Sequence, residues 1–313
     1  MKESIKSLCE KRKYFLDQCD DSCFVAPLEL VRKRFDVFHM DKPRFELSTD
    51  EEMEAIGRIL SLALRGVQLY NWMLHPIILK HIQNNRSINF LYLNGLTVDS
   101  EEKVVALCSL FENLTKLDSL TITRMDFSCE GYMLRFTRSL SKLKSINNLF
   151  LGFSKEDGPE MQFLQCASSL KVFLDYVRTS NLKCLSLSAI NPSIKAADLF
   201  QAFLESGGRS FSCYGGSVEN LDEIMTRNDI SKLKYLILEQ TYSNSLIEYI
   251  LRSNPSLVFY AKDNIMDVIY QTGLSPQYLK IKTPSVDIFP MICNHIVGLT
   301  VETNGLFKRI MYF

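Results

Sequence analysis

The amino-acid sequence predicts an α/β solenoid: a curved parallel sheet laid down one strand at a time, helices on its convex side, and an α-helical region at the N-terminus. Two observations carry that expectation. One apolar phrase recurs, as Ile88-x-x-Leu91-x-Leu93, Leu117-x-x-Leu120-x-Ile122, Ile146-x-x-Leu149-x-Leu151, Leu182-x-x-Leu185-x-Leu187 and Leu233-x-x-Leu236-x-Leu238. Its last two apolar positions sit two apart, the spacing that puts both side chains on one face of an extended strand. The second observation is the interval. Leu91, Leu120 and Leu149 follow one another every 29 residues, room for one strand and one helix. A unit of that size cannot bury its apolar face alone and has to stack on its neighbours.

Phrase and interval together resemble leucine-rich repeats. The resemblance implies a solenoid whose concave strand face holds a ligand and whose chemistry is binding. It stops three residues after the last strand aliphatic, where ordinary repeats carry asparagine or cysteine. Here those positions are Leu96, Met125, Ser154, Ile190 and Thr241, so the array has no asparagine ladder and is an irregular member.

The elements follow in order. Residues 3–18 place Ile5, Leu8, Cys9, Arg12, Phe15 and Leu16 on one helical stripe, which ends at Asp20-Asp21-Ser22. Pro27 suits a first helical position and opens a second helix through Leu28, Val31 and Phe35, stopped by Asp41-Lys42-Pro43. Residues 44–48 read as a capping strand. Ser48-Thr49-Asp50-Glu51-Glu52 is a strong helix start, with Ser48 or Thr49 as the cap and acids in the first turn. A long helical stretch follows with Ile56, Leu60, Leu64 and Val67, pauses near His75-Pro76 and resumes from Ile77 to Gln83.

Between the repeat strands, Glu101 to Phe111, Glu130 to Leu140 and Gln162 to Val177 carry apolar residues on one helical face. Ser154-Lys155-Glu156-Asp157-Gly158-Pro159 reads as an exposed loop. A weak strand, Phe211 to Tyr214, lies between Gly207-Gly208 and Gly215-Gly216. The phrase returns around Leu257 to Tyr260, at Tyr278-Leu279-Lys280-Ile281 and at Ile296-x-x-Leu299-x-Val301, with short connectors of a single helix or turn. The apolar residues of Lys308-Arg309-Ile310-Met311-Tyr312-Phe313 cover the final open edge. Three segments result: a helical docking or capping segment over 1–43, a helical cap or first irregular repeat over 44–86, and the repeat array over 87–313.

Composition narrows the function. Thirty-six basic residues balance thirty-six acidic ones, so no overall field draws the chain to nucleic acid or an anionic membrane. Lys11-Arg12-Lys13 and Arg32-Lys33-Arg34 are single helical turns of solvated face. The charged start from Met1 to Lys6 is unlike a secretory leader, and Arg58, Arg65 and Gln68 interrupt the most apolar stretch; the expectation is a protein of cytoplasm or nucleus. Scattered cysteines, among them Cys184 and Cys213 in strands and Cys108 and Cys166 in helices, fit a reducing compartment. His75 and His81 are six apart, Cys19 and Cys23 have no matching downstream pair, and no glycine-rich phosphate loop is present. No metal, cofactor or catalytic group is expected. A cysteine nucleophile with His39, His75, His81 or His295 as its base would leave no mark in spacing.

The residues between the strand aliphatics face a ligand: Phe90, Tyr92 and Asn94; Ser119, Thr121 and Thr123; Asn148 and Phe150; Cys184, Ser186 and Ser188; Tyr235, Ile237 and Glu239; Tyr278, Lys280 and Lys282. Phe90, Tyr92, Phe150 and Tyr235 are the aromatic anchor candidates, with Glu239 and Lys280 as charged contacts. They would read a protein substrate unless the N-terminal helices fold over them.

Ser4-Ile5-Lys6-Ser7-Leu8-Cys9, followed by Phe15-Leu16-Asp17, resembles the elongin-binding box of ubiquitin-ligase receptors. Pro27-Leu28-Glu29-Leu30-Val31-x-x-Arg34-Phe35 resembles the cullin-contacting segment that follows such a box. Joined to irregular leucine-rich repeats, they are similar to the Zyg and Zer group of substrate receptors. The resemblance implies that Ser4, Ile5, Leu8 and Cys9 meet elongin C, in the elongin B/C pair, by helix-in-groove docking. It also implies that Pro27, Leu28 and Val31 face a cullin, with a protein substrate on the repeats. Ile5 stands where leucine is usual, and Lys13 where an apolar residue is usual. In relatives a helical-repeat region after the leucine-rich part binds the degradation signal, and the resemblance does not carry substrate binding by that route over to these residues. Pro27 to Val31 also resembles the opening of an F-box, and the same helices would serve a free-standing scaffold as caps.

Overall fold

The structure is a computed structural model and describes residues 35–38, 49–61, 63–152, 164, 166–188, 196–214, 218–238, 240–261, 264–274, 278–282, 298–303 and 306–311. The chain divides into two units, residues 1–147 with 154–173, and residues 148–153 with 174–313. Each is an α/β unit in which parallel strands alternate with helices.

The first unit runs β1 (Phe35–Phe38), α1 (Asp50–Leu60), β2 (Ala63–Tyr70), a 3-10 turn (Asn71–Met73), α2 (Pro76–Gln83), β3 (Phe90–Val98), α3 (Glu101–Asn113), β4 (Ser119–Phe127) and α4 (Glu130–Leu140). The strands lie in chain order and every described pairing is parallel. Parallel neighbours need a crossover between them, and the helices supply it. Val67, Leu91 and Leu120 are register partners, as are Leu69, Leu93 and Ile122, and all six are fully buried. The leading aliphatics Ile88, Leu117 and Ile146 are buried beside them. Helix side chains close the layer: Val104, Leu107, Leu110 and Phe111 of α3 are buried, and Phe136 of α4 stacks at 5.4 Å on Phe111 and 5.3 Å on Phe127.

Local chemistry fixes the helix ends. Thr49 Oγ1 accepts from the Glu52 amide at 3.3 Å, while Glu52 Oε2 accepts from the Thr49 amide at 3.2 Å. That reciprocal capping box settles the choice between Ser48 and Thr49. Ser100 caps α3 by accepting from the Lys103 amide.

Three expectations are corrected here. The stretch after Leu60 is not a continued helix, because Leu64 and Val67 lie in strand β2. Leu64-x-x-Val67-x-Leu69 is a further copy of the phrase, and it satisfies strand pairing as well as helical spacing. Phe35 belongs to strand β1 rather than to the second N-terminal helix; Phe38 pairs with Val67, and its distance of 29 residues is one more repeat interval. Cys166 precedes its helix, which starts at Ala167. The helices expected over 3–18 and from Pro27, the strand over 44–48, the loop 154–159 and the array end at Tyr312 and Phe313 lie outside the described residues.

The positions that lack the asparagine ladder are informative. Leu96 and Met125 are fully buried register partners in strands of nine residues each. Both strands turn one residue earlier, at Gly95 (φ 61°) and Arg124 (φ 52°), and the turn brings a second pair of aliphatics onto the buried face.

The second unit contains β5 (Asn148–Gly152), the C-terminal part of α5 (Ala167–Thr179), β6 (Cys184–Ser188), α6 (Ala196–Glu205), β7 (Ser210–Tyr214), α7 (Leu221–Arg227), β8 (Tyr235–Leu238), α8 (Asn244–Ser253), β9 (Val258–Ala261), α9 (Asn264–Thr272), β10 (Tyr278–Lys282), β11 (Gly298–Thr303) and β12 (Leu306–Met311). β5 to β11 pair in parallel in chain order. Leu149, Leu185, Phe211, Leu236 and Phe259 form one buried row of register partners. β12 pairs antiparallel with β11, so the chain from Lys308 to Met311 adds a hairpin arm rather than another parallel rung.

The weak phrase before β7 has a steric reason. Gly208 stands where other units have the leading leucine, and a Cβ there would lie 2.2 Å from the Phe203 ring. That ring, buried and 5.7 Å from Phe211, fills the place of the missing side chain. Farther along, Asn254 is 4% exposed and donates to two carbonyls of the preceding connector, Ile230 at 2.8 Å and Leu233 at 2.7 Å.

Two stability outcomes follow. Arg124→Gly removes a left-handed cost of about 1–2 kcal/mol for an L side chain and adds about 0.5–1 kcal/mol of glycine entropy, so it should leave Tm unchanged or raised, whereas Gly95→Ala should lower it in a thermal melt. Asn254→Ala strands two buried carbonyls and should cost about 2–3 kcal/mol in urea unfolding, with the exposed neighbour Ser256→Ala costing much less.

Candidate functional site

In the first unit, alternation along the strands leaves one face for contacts. Its register rows are Gly66–Phe90–Ser119, Gln68–Tyr92–Thr121 and Tyr70–Asn94–Thr123. All these side chains except Gly66 are half-buried, and the opposite alternation is the fully buried one.

The face is organised. Gln68 Nε2 donates to the Tyr70 hydroxyl at 2.7 Å. Thr123 Oγ1 lies 3.0 Å from Asn94 Oδ1 and 3.3 Å from the Tyr92 hydroxyl. Asn71 Oδ1 accepts from the Thr97 amide at 2.8 Å, which holds the end of β3 to the turn after β2. Phe90 lies over Gly66: a Cβ on that glycine would stand 2.7 Å from Phe90 Cδ1 and 3.1 Å from the Phe90 carbonyl oxygen. The glycine therefore seats the ring. Hydroxyls, amides and three aromatic rings held in fixed geometry form a surface able to make polar and apolar contacts together, as tyrosine presents an apolar body with a polar tip.

In the second unit the corresponding rows are Asn148–Cys184–Ser210–Tyr235 and Phe150–Ser186–Ser212–Ile237. Ser212 donates to Ser186 at 2.7 Å. Phe150 is half-buried, whereas Tyr235 is 49% exposed. The Cys184 thiol sits in this face, and burial pushes it above its ordinary value, which keeps it protonated at neutral pH.

Of the residues expected to read a ligand, Phe90 and Tyr92 share one strand of the first unit, while Phe150 and Tyr235 lie in different rows of the second. The side chains of Glu239 and Lys280, and all of Ser4, Ile5, Leu8, Cys9, Pro27, Leu28 and Val31, lie outside the described residues. Gln68 and Tyr70 were hidden by the helical reading of β2; the phrase at Leu64 was the signal that finds them.

Several other chemistry-bearing groups make contacts within the fold. His81 Nε2 lies 2.8 Å from Glu54 Oε2 and joins α2 to α1. Hydrogen bonds from His81 and then Arg58 hold the Glu54 carboxyl below its usual range. His75 is part-buried, with an unpartnered Nδ1, and His39 and His295 lie outside the described residues. Burial raises the Cys108 thiol, whose Sγ donates to the Arg135 carbonyl at 3.7 Å. Among the described residues no three His, Cys, Asp or Glu side chains gather as a metal site. No helix among them is long and apolar enough to cross a membrane.

Comparison with protein-family models gives no match, and comparison with curated proteins gives none either.

Gly66→Ala should cost about 1–3 kcal/mol, the range for forcing atoms into a packed site. Phe90→Ala in the same chain should return part of that loss, and a double-mutant cycle in denaturant measures the coupling.

Proposed function

We propose that this chain is a non-catalytic protein-binding module of the leucine-rich-repeat kind, working as the substrate-recognition subunit of an elongin–cullin ubiquitin ligase. The observation that carries the binding reading is the ordered face of Phe90, Tyr92, Tyr70, Gln68, Asn94 and Thr123, in which rings and hydroxyls are held half-exposed while the alternate positions are fully buried. Such a face has the composition of an interface centre, aromatic and short of charge. Support for the ligase role comes from sequence: the elongin-box resemblance at Ser4, Ile5, Leu8 and Cys9 and the cullin-segment resemblance at Pro27, Leu28 and Val31. In this role the N-terminal helices hold the scaffold and the strand face holds the protein to be modified.

One experiment separates the two halves of the proposal. The intact chain, an Ile5→Asp, Cys9→Asp variant and a Phe90→Ala, Tyr92→Ala variant are expressed in cells and purified, with circular dichroism checking each fold. Elongin B and C should accompany the first and third and be missing from the second. Substrate proteins should accompany the first and second and be depleted from the third by about tenfold or more, as for loss of two aromatic anchors. Elongin missing from the intact chain would leave a free-standing binding protein.

A further inference from the structure

In the second unit the residue just before each of three successive strands is a cation: Lys183 before β6, Arg209 before β7 and Lys234 before β8. They are aligned. The Arg209 amide donates to the Lys183 carbonyl at 2.9 Å, the Lys234 amide donates to the Arg209 carbonyl at 2.6 Å, and the Val258 amide donates to the Lys234 carbonyl at 2.9 Å. All three side chains are exposed, and none has an ion-pair or hydrogen-bond partner among the described residues. Several acids nearby on the chain are otherwise engaged. Glu205 and Asp175 pair with Arg178, Glu223 pairs with Arg227, and Asp229 is bonded to Ser231. Like charges opposite one another on neighbouring strands oppose folding. At equivalent positions the first unit sets no like charges side by side: Asn147 donates from its side chain to the Asp118 carboxylate.

We propose that Lys183, Arg209 and Lys234 dock an acidic, extended segment of a partner protein. Parallel strands lie about 4.8 Å apart, so the row spans about 10 Å; same-face side chains of an extended peptide recur about every 6.6 Å, and two or three alternate carboxylates cover it. The footprint is closed: the next equivalent position is Leu257, which is fully buried. A nucleic-acid backbone would continue past that point and gain nothing, and a chain of zero net charge supplies no long-range attraction for a polyanion. The inference rests on the binding-module reading above and names the chemistry of one partner segment.

The test uses the full chain and fluorescence polarisation. A labelled peptide of alternating Glu and Thr, about ten residues long to cover the row in extended form, should bind, and its Gln-and-Thr counterpart should not. The Lys183→Glu, Arg209→Glu, Lys234→Glu variant should weaken the Glu peptide by about tenfold or more, while Lys116→Glu, Lys144→Glu, exposed cations of the first unit, should leave it unchanged. Arg209→Glu alone should raise Tm, since it turns three like charges into alternating ones, and should still weaken the peptide. Equal binding of the Gln peptide, full affinity in the triple variant, absence of binding by the Glu peptide, or tighter binding by a single-stranded oligonucleotide of like length would each overturn the inference. Failure of elongin capture bears on the ligase role and leaves these outcomes readable.

Discussion

Each strand here buries its aliphatics only with the help of the strands beside it, and that dependence shapes the rest. Val67, Leu91 and Leu120 in one unit, and Leu149, Leu185, Phe211, Leu236 and Phe259 in the other, are register partners with almost no solvent contact. A slip of one residue would turn such a row out to solvent, so register is strongly specified. Where the pairs are parallel, the step to the next rung must cross back over the sheet, and a helix with one apolar face is the economical crossover. The helix in turn buries its stripe on the row it spans. Truncating one row member to alanine would leave a cavity worth about 2–5 kcal/mol, felt by the units on both sides.

Within that constraint the connectors vary in length and solve local problems differently. Gly208 surrenders the leading leucine because Phe203 fills its place. Asn254 and Asn85 each reach back one unit to bond carbonyls of the previous connector, Asn254 to Ile230 and Leu233 and Asn85 to Ser61 at 2.9 Å. Ser145 does the same for Leu117 with its hydroxyl at 2.7 Å. These bonds tie one connector to the connector before it, while Leu96 and Met125 enlarge the apolar layer. Irregular sequence at that position is thus compatible with regular strand pairing.

Apart from β2, the strands with the full phrase were legible, and so was α4, whose observed span coincides with the expectation from periodicity. β2 was not legible as a strand, because Ile56, Leu60, Leu64 and Val67 fit a helical stripe and the run carries arginines that look like a helix face. Only the pairing of Val67 with Leu91 decides between the two periods, and pairing is a long-range fact. Phe35 was lost to a helix for the same reason. The antiparallel sense of β12 has no signature in composition, since a hairpin and a parallel rung share an alternating pattern. Phe90 and Tyr92 were legible as contact residues from alternation alone. Gln68 and Tyr70 followed β2 into the wrong element. The cation row was invisible, because Lys183, Arg209 and Lys234 are 26 and 25 residues apart and become neighbours only through register.

Repetition also separates what folds the chain from what it can recognise. The buried row fixes every second strand residue to a narrow set of shapes, and the connectors are held by caps and backbone bonds. The residues between are bound by neither demand and can carry rings, hydroxyls or charge at little cost to the fold. Three cations in file at the start of β6, β7 and β8 are a different matter, because alignment makes them oppose one another. A mixed sequence at those positions would be more stable with the same backbone, as Asn147 beside Asp118 illustrates. Folding therefore gives no account of the row, whereas an acidic partner segment gives one: its carboxylates would relieve the repulsion as they bind, and the stability forgone in the free chain would return as affinity in the complex.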